Sequence, residues 1–146
     1  LLPNEAFTRD ARIVFLDDSI VRGTQLKDNV VKLRECGVKE VHIRIACPPL
    51  IYPCCFLNFS TSRSTFDLFA RRVIRDLEGT SELTDEILKP YSDPDSEKYK
   101  EMVRVMCQHL QLDSLQFQRL DDLVKAIGLP KEQLCTHCWD NSSYME

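Results

Sequence analysis

The chain has 146 residues, 43% of them apolar and 29% charged, and a net charge of −4. That is enough apolar mass for the core of one ordinary domain, and no run is long or apolar enough to span a bilayer, which excludes an integral membrane protein built on helices. The acidic balance excludes a basic face for nucleic acid or anionic lipid, and the start LLPNEAFTRD lacks the regions of a secretory signal, so a cytoplasmic setting is expected.

The first predicted element is a strand over 12–17. Ile13, Val14, Phe15 and Leu16 form the continuous apolar stretch of a strand buried on both faces of a parallel sheet. Asp17 and Asp18 close it at its carboxyl end, where open α/β sheets bind ligands and where the next helix directs its amide groups. Two adjacent carboxylates suit the vicinal hydroxyls of a ribose. Ser19 and Thr24 add hydroxyl donors, Gly23 permits a positive φ, and the successive N–H groups of Ile20, Val21, Arg22, Gly23 and Thr24 can curl into a nest for a 5′-phosphate. Arg22 reads equally well as a phosphate contact or as a solvent-facing residue.

A helix over 25–35 follows, with Val30, Val31 and Leu33 among its apolar positions and Gly37 as the residue that stops it. Val41, Ile43 and Ile45 then alternate with His42 and Arg44. That pattern predicts a strand near a sheet edge, with His42 on the solvent side, ended by Pro48 and Pro49. Residues 60–77 read as a Ser/Thr-capped helix whose Phe66, Phe69, Val73, Ile74 and Leu77 face a core. The stretch 78–98 is acidic and turn-rich and reads as a solvated insertion.

From 99 to 110 Met102, Val103, Val105, Met106 and Leu110 mark a further helix. Leu115 and Phe117 mark a short strand, and Asp121 opens a helix that Gly128 stops. The expected class is therefore α/β, a parallel sheet with flanking helices over 1–77, the insertion, and a helical segment over 99–146.

Seven cysteines are an odd number without a disulfide-framework spacing, so free thiols or metal ligation is the better account. Cys135 and Cys138 stand in a Cys-x-x-Cys pair, the spacing of metal, cluster and redox sites alike. His137 between them is a weaker zinc candidate, and Trp139 is placed to shield sulfur from water.

The run VFLDDSIVRGT, with its loop at 14–25, resembles the phosphoribosyl-pyrophosphate (PRPP) loop of type I phosphoribosyltransferases, in the form found in the amidophosphoribosyltransferase family. CPPLIYPCCFLNF (47–59) and DSLQFQRLDDLVKAIGLPKEQLCTHCWDNSSY (113–144) resemble later segments of that family in its order. The resemblance implies the C-terminal part of a type I phosphoribosyltransferase domain, belonging to a glutamine-dependent enzyme of the first purine-synthesis step. It implies Asp17, Asp18, Ser19, Ile20, Val21, Arg22, Gly23 and Thr24 as the binding set for PRPP or a nucleotide, with Mg²⁺ near Asp17 and Asp18. Gln25 departs from the family's usual Thr and removes a hydroxyl from the cradle.

From the same resemblance Cys54, Cys135 and Cys138 become ligands of an iron–sulfur (4Fe–4S) cluster, the fourth lying upstream or at Cys55. Cys36 and Cys107 read as buried small hydrophobes, and Cys47 is a remaining substitute. Glutamine, purine nucleotide inhibitors and a homo-oligomer complete the implied partners. No catalytic residue is assigned within these residues, and the chain is expected to be an inactive piece of a longer protein. The alternative is a non-catalytic regulatory relative that binds a nucleotide through the same loop.

Overall fold

The computed structural model describes residues 8–54, 56 and 64–143. The order is β1 (Arg12–Asp17), α1 (Thr24–Glu35), β2 (Glu40–Ile45), a 3-10 turn (Thr65–Asp67), α2 (Phe69–Glu78), α3 (Asp85–Ser92), α4 (Glu97–His109), β3 (Ser114–Phe117), α5 (Leu120–Ile127), a second 3-10 turn (Lys131–Gln133) and α6 (His137–Asp140). The strands form one parallel sheet in the order β1-β2-β3, with Ile13 opposite Val41 and Ile43 opposite Leu115. Parallel neighbours need crossover connections, and helices supply them here. This is the expected α/β class.

The pleat sends alternate side chains to opposite faces. Ile13 and Phe15 of β1, Val41, Ile43 and Ile45 of β2, and Leu115 and Phe117 of β3 take the covered side, against Val30 and Leu33 of α1 and a larger cluster from α2, α3 and α4. The other side carries Val14, Leu16, His42, Arg44, Ser114 and Gln116. Two expectations about this sheet reverse. Among the described residues β1 pairs on one side only and is not buried on both faces: Val14 is 59% and Leu16 81% exposed. β2, expected near an edge, is central and its Val41 and Ile43 are fully buried. A continuous apolar run reports preference, whereas burial depends on which strands pair alongside and what covers the far face.

His42 is likewise half-buried and not simply solvent-facing: its ring nitrogens meet Ser114 Oγ at 2.8 Å and Glu40 at 3.1 Å. Asp113, just before β3, ties three elements together. Its Oδ2 accepts from the Val41 amide and from Arg34 of α1, both at 2.6 Å.

The segment expected to be a solvated insertion contains α3, whose Leu88 and Tyr91 are buried in the main core. The Tyr91 hydroxyl donates to Glu78 at 2.6 Å, and Lys98 reaches the same carboxylate. Acidic composition hides this helix because only two positions one turn apart need be apolar. Of the helix expected over 60–77, residues 60–63 lie outside the described residues. Ser64 caps the 3-10 turn by accepting from the Phe66 amide at 3.2 Å, and the α-helix begins only at Phe69. Asp121 stands with Asp122 in the first turn of α5, as expected of a residue that opens the helix, and Arg119 holds the cap position. Among the described residues no helix is long and apolar enough to cross a membrane.

Candidate functional site

The loop after β1 is held at three points. Ile20 is 5% exposed and inserts into the main core. The carbonyl of Val21 accepts from the Phe69 amide at 2.8 Å, an N–H that the first turn of α2 would otherwise leave unpaired. Gly23 then caps α1 with φ +75°, and a Cβ built there would meet the Phe69 ring at 3.1 Å. Left-handed backbone and close approach both require glycine at this position.

These anchors leave a concavity of about 670 Å³ lined by residues 17–26 and Asn29. Asp17, Asp18, Ser19, Ile20, Val21, Arg22, Gly23 and Thr24, the whole expected binding set, line it together, and Gln25 joins them. Asp17 Oδ1 accepts from the Asp18 amide at 3.0 Å and Asp18 Oδ1 from the Ser19 amide at 2.8 Å. Both carboxylates are exposed, and neither forms an ion pair among the described residues. The amides of Ile20, Val21, Arg22 and Gly23 find no acceptor among the described residues, and α1 has no acidic residue in its first turn to offset its dipole. The arrangement presents carboxylates for hydroxyls on one side and free amides for an anion on the other.

Arg22 turns outward, its guanidinium 4.0 Å from Asp67. Asn29 was not marked by the sequence pattern; it reaches the site because it stands one helical turn beyond Gln25. Behind the loop a second cavity of about 400 Å³ is lined by Arg22, Gly23, Thr24, Lys27, Phe69, Arg72, His109 and Leu110.

The cysteines occupy a separate region. The amides of Ile51 and Tyr52 both donate to the carbonyl of Cys138, at 2.9 and 3.0 Å, which docks the Cys-x-x-Cys segment on the loop ending at Cys54. Arg71, buried, holds that loop in turn: its Nε donates to the Ile51 carbonyl at 2.5 Å and its guanidinium lies 5.5 Å from the Tyr52 ring centroid. Burial pushes the Cys138 thiol up to about 12, reinforced by Cys54 and Cys135, so all three expected thiols lie within mutual influence. Cys54 is buried, Cys138 half-buried and Cys135 exposed. The donor chemistry suits a thiolate-held cluster, yet among the described residues no group of three His, Cys, Asp or Glu is arranged to hold a metal ion. Cys55 lies outside the described residues. Burial raises the Cys47 thiol to about 11, with the Trp139 indole acting in the opposite direction, so Trp139 sits by Cys47. Cys36 caps the end of α1, and Cys107 is half-buried in α4.

No protein-family model matches the chain. Amidophosphoribosyltransferases do. The enzyme of Mycobacterium tuberculosis is 31% identical over 147 residues, covering 100% of this chain and 23% of the relative. That of Methanothermobacter thermautotrophicus is 30% identical over 129 residues, covering 88% of this chain and 21% of its own length. In the Pyrococcus horikoshii enzyme a shorter stretch of 54 residues is 54% identical, covering 37% of this chain and 12% of that protein.

Two solved structures share the fold. The glutamine PRPP amidotransferase from B. subtilis, complexed with ADP and GMP, superposes with TM-score 0.65 at 25% identity over 94% of this chain and 25% of that one. An allosteric regulatory enzyme of purine biosynthesis gives TM-score 0.61 at 27% identity, over 94% of this chain and 24% of that one. The chain thus spans a quarter or less of the length of these relatives. With the parallel sheet, the aspartate-ended strand and the glycine-capped loop all in place, likeness over the full chain leads to one conclusion: this chain is homologous to part of the amidophosphoribosyltransferases.

Proposed function

We propose that this chain supplies the ribose 5-phosphate cradle of a glutamine-dependent amidophosphoribosyltransferase, the enzyme that converts PRPP and glutamine to 5-phosphoribosylamine at the start of purine synthesis. The observation that carries the reading is the concavity at residues 17–26, with outward carboxylates and amides that find no acceptor among the described residues. In this role Asp17 and Asp18 accept from the ribose hydroxyls, while the amides of 20–24 and the hydroxyls of Ser19 and Thr24 receive the 5′-phosphate. The contribution is positioning: the sugar is held at both ends so that its anomeric carbon has a fixed place for the incoming ammonia. Purine nucleotides carry the same ribose 5-phosphate, so inhibitors would compete for this cradle.

Mg²⁺ near Asp17 and Asp18, when bound, would supply charge neutralisation for the departing pyrophosphate. Cys54, Cys135 and Cys138, with a fourth thiolate from Cys55 or from elsewhere in the protein, would hold a 4Fe–4S cluster that staples the C-terminal segment to the loop ending at Cys54. Iron in anaerobically purified full-length protein is the expected outcome, and zinc in its place overturns the cluster assignment.

The cradle is tested in the full-length protein by Asp17→Asn together with Asp18→Asn. Hydrogen bonds to charged groups contribute about 1.5–3 kcal/mol each, so PRPP affinity measured by calorimetry should fall at least about tenfold. Unchanged affinity removes the ribose role.

A further inference from the structure

We propose that Arg72, a residue that does not line the phosphate cavity, is the positioning residue that aims the loop's amides into it; the inference rests on the cradle reading above. The argument begins with the peptide bond. The described peptides are all trans, so within each one the carbonyl and the N–H point in opposite directions. The carbonyl of Val21 is drawn to the Phe69 amide at 2.8 Å, which turns the Arg22 N–H of the same peptide away from α2. The carbonyl of Arg22 is drawn to Arg72 Nη2 at 2.6 Å, which turns the Gly23 N–H the same way. Two consecutive peptide planes are thereby fixed with carbonyls toward α2 and amides toward the concavity between Asp17 and Asn29.

Arg72 is itself held for this task. Its Nη1 donates to the carbonyls of Phe66 and Asp67, both at 3.1 Å, and its guanidinium lies 5.5 Å from the centroid of Phe69, the ring that abuts Gly23. The side chain thus links the 3-10 turn, the first turn of α2 and the phosphate loop through three main-chain carbonyls. Its planar fork is what such a bridge needs, since one ammonium on a flexible stem cannot hold three carbonyls in fixed directions. Of these two cavities Arg72 borders the one behind the loop and not the one between Asp17 and Asn29, so it acts through the backbone and not on the ligand. A phosphate met by amides already aligned gains affinity because the loop has less ordering left to do on binding.

The test uses the full-length protein and ribose 5-phosphate as probe, measured by calorimetry, with KM and kcat for PRPP alongside. Arg72→Ala should weaken ribose 5-phosphate binding at least about tenfold and raise KM for PRPP more than it lowers kcat. Because the substitution opens space beside a cavity of about 400 Å³, added methylguanidinium should restore part of the lost affinity, a response that a general loss of folding would not give. Arg72→Lys keeps the cation and serves if Arg72→Ala does not fold; it should fold and still bind weakly. Wild-type affinity in either folded variant overturns the clamp while leaving the cradle intact. Absence of ribose 5-phosphate binding by the wild-type protein overturns both.

Discussion

Gly23 concentrates several demands on one residue. It caps α1 in the left-handed region, it lets the Phe69 ring approach to 3.1 Å of where a Cβ would stand, and it lines the proposed phosphate cradle. A methyl group there meets both strain and a ring that cannot retreat, since Phe69 is buried in the main core. Gly23→Ala should therefore lower stability by about 1–2 kcal/mol from backbone strain, with more from the contact, and weaken ribose 5-phosphate binding together with it. Chemical denaturation and calorimetry on the same sample check the pair. Loss of stability with undiminished binding would show that the left-handed turn is needed only for folding.

At the scale of elements, Asp113 shows how a polar side chain sets the seam between α1, β2 and β3. The Val41 amide, followed by the Arg34 guanidinium, holds its carboxyl below the usual range. A depressed folded-state value means that the contribution is fully present above the unfolded-chain value of about 3.9 and is lost as pH falls through the lower folded value. The stability difference between wild type and Asp113→Asn should thus be largest near neutral pH and shrink below about pH 4. Urea unfolding at a series of pH values measures it, and a difference that stays constant through the acid range would contradict the seam.

The geometry of the loop after β1 was legible in the sequence because its residues are contiguous: strand, two carboxylates and glycine stand within one short run, and short-range turn preferences fix them. α3 was not legible, since Leu88 and Tyr91 draw their burial from α2 and α4 and not from any local pattern. The Cys54 and Cys138 approach is of the same kind. Spacing marks Cys135 and Cys138 as a pair, but only the resemblance linked Cys54 to them, and only the fold shows the Ile51 and Tyr52 amides docking on Cys138. Arg72 carried no signal at all, because its partners are main-chain carbonyls and leave no trace in residue type.

Across the described residues as a whole, the sheet is unequally covered. Helices pack on one face, while the other presents Val14 at 59% and Leu16 at 81% exposure, on a strand that stands at the sheet's edge. An edge strand with free pairing groups and neighbouring exposed apolar side chains is a surface that recruits other chains. These 146 residues expressed alone should therefore self-associate with rising concentration in sedimentation velocity. Leu16→Lys, alone or with Val14→Lys, should suppress that association, because a charge on an edge strand opposes pairing and both side chains lie outside the buried core. Neither change touches the loop proposed to hold the phosphate, so circular dichroism and ribose 5-phosphate binding should persist in the variants wherever the parent shows them. A parent chain that stays monomeric across the whole concentration range would mean that the open face is wetted without penalty, and that two exposed apolar side chains on one strand are too few to drive contact.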